Sequence, residues 1–181
     1  MGSGAKPQRK QSCYMYNLEP MYKVGVLTIS DKGAQGKRED KSGKLMSDLL
    51  KEAGFNIAIY AVVPDEEFTI SQTLIKWVNK GVDLILTTGG TGLSPRDLTP
   101  EATQKVIEKQ VPGIAEALRQ EGLKKTPHAM LSRGMAGIRK GTLIINLPGS
   151  PKAVKEGLEV LIPALPHALA KIKGDTTECG T

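Results

Sequence analysis

Three features of the chain predict an α/β fold, a three-layer α/β/α arrangement around a mostly parallel central sheet. Short apolar runs with little polar interruption read as strands buried on both faces, as parallel strands are. Helical stripes fall between them, so strands and helices alternate over about 150 residues, the pattern of right-handed βαβ units. Directly after the strands come clusters of glycine, proline, serine and aspartate. In such a sheet that rim, beyond the carboxyl ends of the strands, is where ligands bind.

In chain order, the first strand spans 23–30, and a polar loop holding Gly33 and Gly36 follows over 31–40. A helix begins near Ser42, with Leu45, Leu49, Leu50 and Ala53 as its apolar stripe and Gly54 ending it. The second strand, 55–63, closes on Pro64-Asp65-Glu66-Glu67, whose proline and acids suit the opening of another helix. That helix runs to Asn79 and buries Ile70, Leu74, Trp77 and Val78, with Gly81 past its end.

Residues 83–102 are the stretch around which the rest is arranged. Leu84 to Leu86 is a fully apolar strand, and Thr99 followed by Pro100 supplies an N-cap and a first-turn proline. Between them Gly89, Gly90 and Gly92 can take positive φ and lack a Cβ, so successive N–H groups can converge on an anion. Thr87, Thr88 and Thr91 add hydroxyl donors, and a ligand bearing phosphates fits. A tight strand-to-helix turn with no ligand is the alternative. No Gly-Lys-Ser/Thr follows, which excludes a Walker A loop, and Pro95 stands where a dinucleotide fingerprint needs its third glycine.

A helix from Pro100 carries Ala102, Val106 and Ile107 until Val111-Pro112-Gly113 breaks it, and a further helical segment begins near Ile114. Residues 122–129 form a connection, and 130–135 and 142–147 are expected to be extended. Pro148-Gly149-Ser150-Pro151 repeats the earlier device of tight loop, N-cap and first-turn proline, and a last helix, interrupted by Pro163 and Pro166, runs toward Ile172. The connections after Ile29, Val63, Thr88 and Leu147 all leave carboxyl ends of strands. They therefore line one rim, where two helix N-termini can face one polyanionic ligand.

A length of 181 residues suits one domain, expected over 21–174, with a mobile leader at 1–20 and a polar tail at 175–181. The net charge of +6 invites a nucleic-acid reading, but aromatics are only 4% and the lysines are dispersed, so an anionic small molecule explains it as well. Cys13 and Cys179 lie near the two ends without metal-ligand spacing, which fits a reducing compartment, and His128 and His167 stand alone. No apolar run reaches the roughly 20 residues of a membrane span, and the first residues lack a signal peptide's apolar centre, so a cytoplasmic protein with no membrane partner is expected.

Asp31, Asp40, Asp65 and Asp97 fall in or beside the rim loops. Acids beside a phosphate pocket make sense with a divalent ion between them, since Mg²⁺ is held by one or two carboxylates plus phosphate oxygens. Asp65 and Asp97 are the leading candidates, against plainer roles as an early helix acid and as a turn residue or partner of Arg96. Asp83 sits at the other end of its strand. Ser132 and Arg133 can reach the pocket, with a surface role as the alternative for Arg133.

The motifs Thr-Thr-Gly-Gly-Thr-Gly from Thr87, Arg96-Asp97-Leu98-Thr99-Pro100-Glu101-Ala102, Leu131-Ser132-Arg133 and Asn146-Leu147-Pro148-Gly149-Ser150-Pro151 occur in this order. Together they resemble the MogA/MoaB family of molybdenum cofactor biosynthesis proteins, close to MogA and the G domains of plant Cnx and animal gephyrin, over residues 22–174. The resemblance implies the molybdopterin-binding fold of that family and a molybdopterin adenylyltransferase that moves AMP from MgATP to the terminal phosphate of molybdopterin. A non-catalytic MoaB-type binder or scaffold is the alternative. Carried over by position, Asp65 and Asp97 are the catalytic and Mg²⁺-holding acids, and Ser132 and Asn146 match positions that hold molybdopterin. Ser30, Asp31, Thr88, Gly89, Gly90, Thr91, Gly92, Pro148, Gly149 and Ser150 belong to the nucleotide and pterin cleft. The family further implies a homotrimer and hand-over to a MoeA-type metal insertase.

Overall fold

The computed structural model describes residues 22–176; the expected leader, Cys13, Cys179 and most of the expected tail lie outside the described residues. Six strands form one sheet in the order β2-β1-β3-β6-β5-β4. Strands β1 (Lys23–Ile29), β2 (Asn56–Val63), β3 (Leu84–Thr88) and β6 (Thr142–Leu147) run parallel, whereas β5 (Ala136–Arg139) is antiparallel to β6 and β4 (Lys109–Gln110) to β5. The chain moves outward from β1 to β2 and then crosses back to β3 on the other side of β1. That reversal opens a crevice beyond the carboxyl ends of β1 and β3.

Alternation along the central strands fills both faces. Leu84, Leu86, Leu143 and Ile145 point to one layer with Met46, Leu50, Val154, Leu158 and Leu169. Ile85 and Ile144 point to the other with Ile70, Leu74, Trp77, Ala102 and Val106. The first layer comprises α2 (Lys41–Glu52), α5 (Pro112–Leu123), α6 (Pro151–Leu161) and α7 (Leu165–Ile172), and the second α3 (Glu67–Asn79) and α4 (Thr99–Val106). The three-layer expectation holds, and among the described residues no helix is long and apolar enough to cross a membrane.

Several local expectations are corrected. The loop after β1 contains a short helix, α1 (Asp31–Ala34), because the Ser30 hydroxyl caps it by accepting from Gly33 N. The buried stripe of α2 centres on Met46 and Leu50, with Leu49 and Ala53 only partly covered. Thr99 does not cap α4; it is the first helical residue, and its hydroxyl donates to the Gly89 carbonyl at 2.9 Å. Ile107 has left that helix, and β4 follows, an edge of two exposed residues too short to show any periodicity. Helix α5 begins at Pro112 itself. Met130 and Leu131 belong to a 3₁₀ turn over Pro127–Leu131, capped by Thr126, so the extended segment starts later, at Ala136. The Thr126-Pro127 pair carried that signal.

Candidate active site

The loop after β3 is built on two left-handed glycines, Gly89 at φ 99° and Gly90 at φ 64°. A Cβ at Gly89 would stand 2.3 Å from the Ile29 carbonyl oxygen, and one at Gly90 would stand 2.3 Å from Thr99 Oγ1 and 2.7 Å from Asp65 Oδ2. Only glycine fits either position. The loop after β6 packs directly on it: Thr88 Oγ1 donates to the Pro148 carbonyl at 2.7 Å, and Ser42 Oγ donates to the Gly149 carbonyl at 2.7 Å. Ser150 caps α6 by accepting from Ala153 N, which aims that helix N-terminus at the rim.

The acids converge behind and beside this loop. Asp65 is buried, 7% exposed, and its Oδ1 accepts from Leu98 N at 3.0 Å, while its own N–H donates to Asp31 Oδ1 at 3.0 Å. Burial raises the pKa of its carboxyl above the ordinary aspartate value, and nearby Asp97 and Asp31 raise it further against the opposing Leu98 N–H. Asp97 Oδ2 accepts from Ser94 N at 2.9 Å, and a Cβ at Gly92 would stand 2.8 Å from it. Of the plainer readings, Asp65 is not an early helix acid, since it precedes α3 by two residues, and Arg96 pairs with Asp31, not Asp97; Asp97 is a turn residue, its N–H donating to the Ser94 carbonyl at 2.9 Å. Both Oδ atoms of Asp31 receive Arg96, which with the Asp65 N–H holds the Asp31 carboxyl below its ordinary range. Asp40 stays on the far side, where it accepts from Thr28 Oγ1, Tyr60 Oη and Gly43 N.

Two cavities flank the paired loops. One of about 520 Å³ is lined by Gly90, Thr91, Gly92, Asp97, Ser132, Asn146 and Pro148, with α5 and α6 as its outer wall. The other, about 630 Å³, is lined by Ser30, Thr88, Gly89, Arg38, Asp40 and Ser42. Gly149 and Ser150 border both. Asp31 and Asp65 line neither and stand behind the glycine loop.

Two residues behave differently from the expectation. The Asn146 side chain is turned inward: its amide donates to Thr87 Oγ1 and Thr103 Oγ1, each at 3.0 Å, and its oxygen accepts from Met135 N at 3.3 Å. Its polar atoms are spent on joining β6 to β3, α4 and the chain before β5. Arg133, for which a surface role was open, is half-buried and threads the loop: Nε donates to the Gly92 carbonyl at 2.7 Å, the η2 nitrogen donates to the Asp97 carbonyl at 2.6 Å, and the η1 nitrogen pairs with Glu101. Sequence reasoning also passed over Arg119, whose η1 nitrogen donates to the Ser132 and Gly134 carbonyls at 3.4 and 3.0 Å. Nothing in its helical stripe announced that reach.

A mostly parallel sheet with two fastened loops and a carboxylate cluster at its switch point defines an α/β protein of the kind whose ligands bind beyond the carboxyl ends of its strands. The chain belongs to the molybdopterin-binding family: residues 25–167 match the model of the probable molybdopterin binding domain. It is 46% identical over 155 residues to the molybdopterin adenylyltransferase of Helicobacter pylori, covering 84% of this chain and 88% of that one. It is 47% identical over 159 residues to gephyrin of Dictyostelium discoideum, covering 82% of this chain but only 22% of that longer protein. Among solved structures, the molybdopterin biosynthesis enzyme MoaB of Thermus thermophilus superposes with a TM-score of 0.81 at 52% identity, covering 86% of this chain and 98% of that one.

Proposed function

We propose that this protein is a molybdopterin adenylyltransferase: the terminal phosphate of molybdopterin attacks the α-phosphorus of ATP, the bond from that phosphorus to the β-phosphate bridge breaks, and pyrophosphate leaves. The observation that carries the reading is the pair of cavities meeting at Gly149 and Ser150, which gives two phosphorylated partners one shared border. The loop N–H groups and the N-terminus of α6 supply positive potential there, so the chemistry needs alignment and charge neutralisation and no protein nucleophile.

Asp65 and Asp97 are the acids assigned to Mg²⁺. Asp65 is buried beside two other carboxylates, and a cation relieves that repulsion. Among the described residues no three ligating side chains gather as a ready-made metal site, so the ion's remaining ligands would have to come from phosphate and water. When bound, the ion neutralises charge on the nucleotide phosphates. The chain's own part is to hold the acids: Leu98 N fixes Asp65, and Ser94 N and Arg133 fix Asp97. Ser132, Thr91 and Gly92 line the cavity that Asp97 also borders, Ser30, Thr88 and Gly89 line the other, and together they make the nucleotide and pterin cleft of the reading, with Asn146 acting through the residues it braces. A cytoplasmic homotrimer that passes its product to a MoeA-type insertase completes the proposal.

The test is pyrophosphate release from MgATP with and without molybdopterin, with the product mass checked for an added AMP. Release that depends on molybdopterin supports the transferase; tight molybdopterin binding without release leaves a carrier.

A further inference from the structure

Leu93, Ser94, Pro95 and Arg96 form an exposed arc between Gly92 and Asp97. The arc touches the rest of the rim through the solvent-exposed Arg96–Asp31 pair, and the Ser94–Asp97 turn only closes it on itself. Its two feet are gripped from below by one side chain. Arg133 donates to the carbonyl of Gly92 at one foot and of Asp97 at the other, and its third nitrogen pairs with Glu101 in the first turn of α4. Its backbone N–H adds a bond to the Thr91 carbonyl at 2.9 Å. All three guanidinium nitrogens are thus spent on the segment that carries Asp97. A planar fork reaches three acceptors at once in a way that a lysine ammonium does not.

The anchor is itself anchored. Ser132 and Gly134, on either side of Arg133, line the cavity of about 520 Å³ beside α5, and both of their carbonyls accept from Arg119. Chain 132–134 therefore faces the cavity on one side and fixes the acid-bearing arc on the other.

We propose that Arg133 is the positioning residue for Asp97: it sets the height of that carboxylate over the glycine loop and so the affinity of the site for a divalent cation with nucleotide. The proposal rests on the reading of Asp97 as a metal-holding acid. Arg133 touches neither substrate nor ion in this account, and its effect passes through the Gly92 and Asp97 carbonyls.

The test uses Mn²⁺, which shares the oxygen-ligand preference of Mg²⁺ and is paramagnetic, together with α,β-methylene-ATP, whose α–β link does not break. Electron paramagnetic resonance then reads metal binding without turnover. Arg133→Gln is expected to weaken Mn²⁺ binding in the presence of the analogue about tenfold, and Arg133→Lys nearly as much, because the charge remains but the fork is gone. A role in fold stability alone would lower the thermal midpoint and leave that affinity unchanged. Wild-type Mn²⁺ affinity in either folded variant overturns the proposal; if Arg133→Gln does not fold, Arg133→Lys decides with the same two outcomes. Wild-type protein that binds Mn²⁺ and the analogue yet releases no pyrophosphate with molybdopterin defeats the transferase reading while the Arg133 comparison still stands. No Mn²⁺ binding by the wild type overturns both.

Discussion

Asp83 and Asp65 sit at opposite ends of the same sheet and meet opposite fates. At the amino end, Asp83 accepts from Lys23 N at 2.7 Å and pairs with Lys173 at 2.8 Å, and the Lys173 ammonium lies 5.1 Å from the centre of the Tyr22 ring. At the carboxyl end, Asp65 is buried with one backbone donor to its carboxylate and two other carboxylates nearby. The first environment settles a charge; the second leaves it in excess. The amino end carries a satisfied charge, and the carboxyl end carries the strained acid on which the proposed chemistry rests.

The sharpest way to break that contrast is to remove the excess charge. Asp97→Asn is expected to lose most turnover, on the order of 100-fold or more, while molybdopterin binding persists; unchanged turnover would take Asp97 out of the metal site. Asp65→Asn should lose turnover on the same scale and yet melt at a higher temperature at neutral pH. The sign follows from linkage. The folded-state pKa of Asp65 is raised, so its contribution is favourable below the unfolded value of 3.8 and is lost as pH rises through the folded value. The variant's advantage must therefore shrink toward acid pH, which paired melting curves at pH 7 and near pH 4 would read; a constant difference contradicts it.

Next in size are changes to the frame around the acids. Gly90→Ala places a side chain at φ 64° against Thr99 and Asp65 and should lower stability by about 2–3 kcal/mol, with turnover falling alongside. Asn146→Ala strips three hydrogen bonds, two of them buried, and should lower stability by about 2 kcal/mol in urea unfolding. A large loss of molybdopterin affinity with unchanged unfolding would instead restore Asn146 to the ligand's side and narrow the contrast between frame and chemistry.

These residues also mark how far the sequence could be read. The four parallel strands and the rim were legible because burial on both faces demands uninterrupted apolar runs, and glycines next to such runs have few other uses. Asp65 and Asp97 were legible as acids beside the glycine loop. The pairing of Arg96 with Asp31, 65 positions away, was not, because no local pattern encodes a contact between two loops. The same holds for Arg133 and Asn146: their motifs mark them out, but whether a side chain points into the cavity or back into the frame depends on packing between β6, α4 and the central loop. The short elements β4 and the 3₁₀ turn escaped for a different reason, since two to five residues are too few to set a period.

The smallest expected effect comes from the settled end, and it is the control that gives the contrast meaning. Lys173→Ala removes the partner of Asp83 and the cation over Tyr22, but the Lys173 side chain is 43% exposed, so solvent screens both interactions. A stability loss of about 0.5–1 kcal/mol is expected, diminishing in high salt. Asp83 keeps its bond from Lys23 N, so the start of β1 stays paired with the start of β3. Turnover should remain at the wild-type level, because the change lies a full strand length from the rim. If kcat drops while unfolding is barely altered, the two ends are coupled through the sheet, and the division between a settled end and a strained end does not hold for this protein.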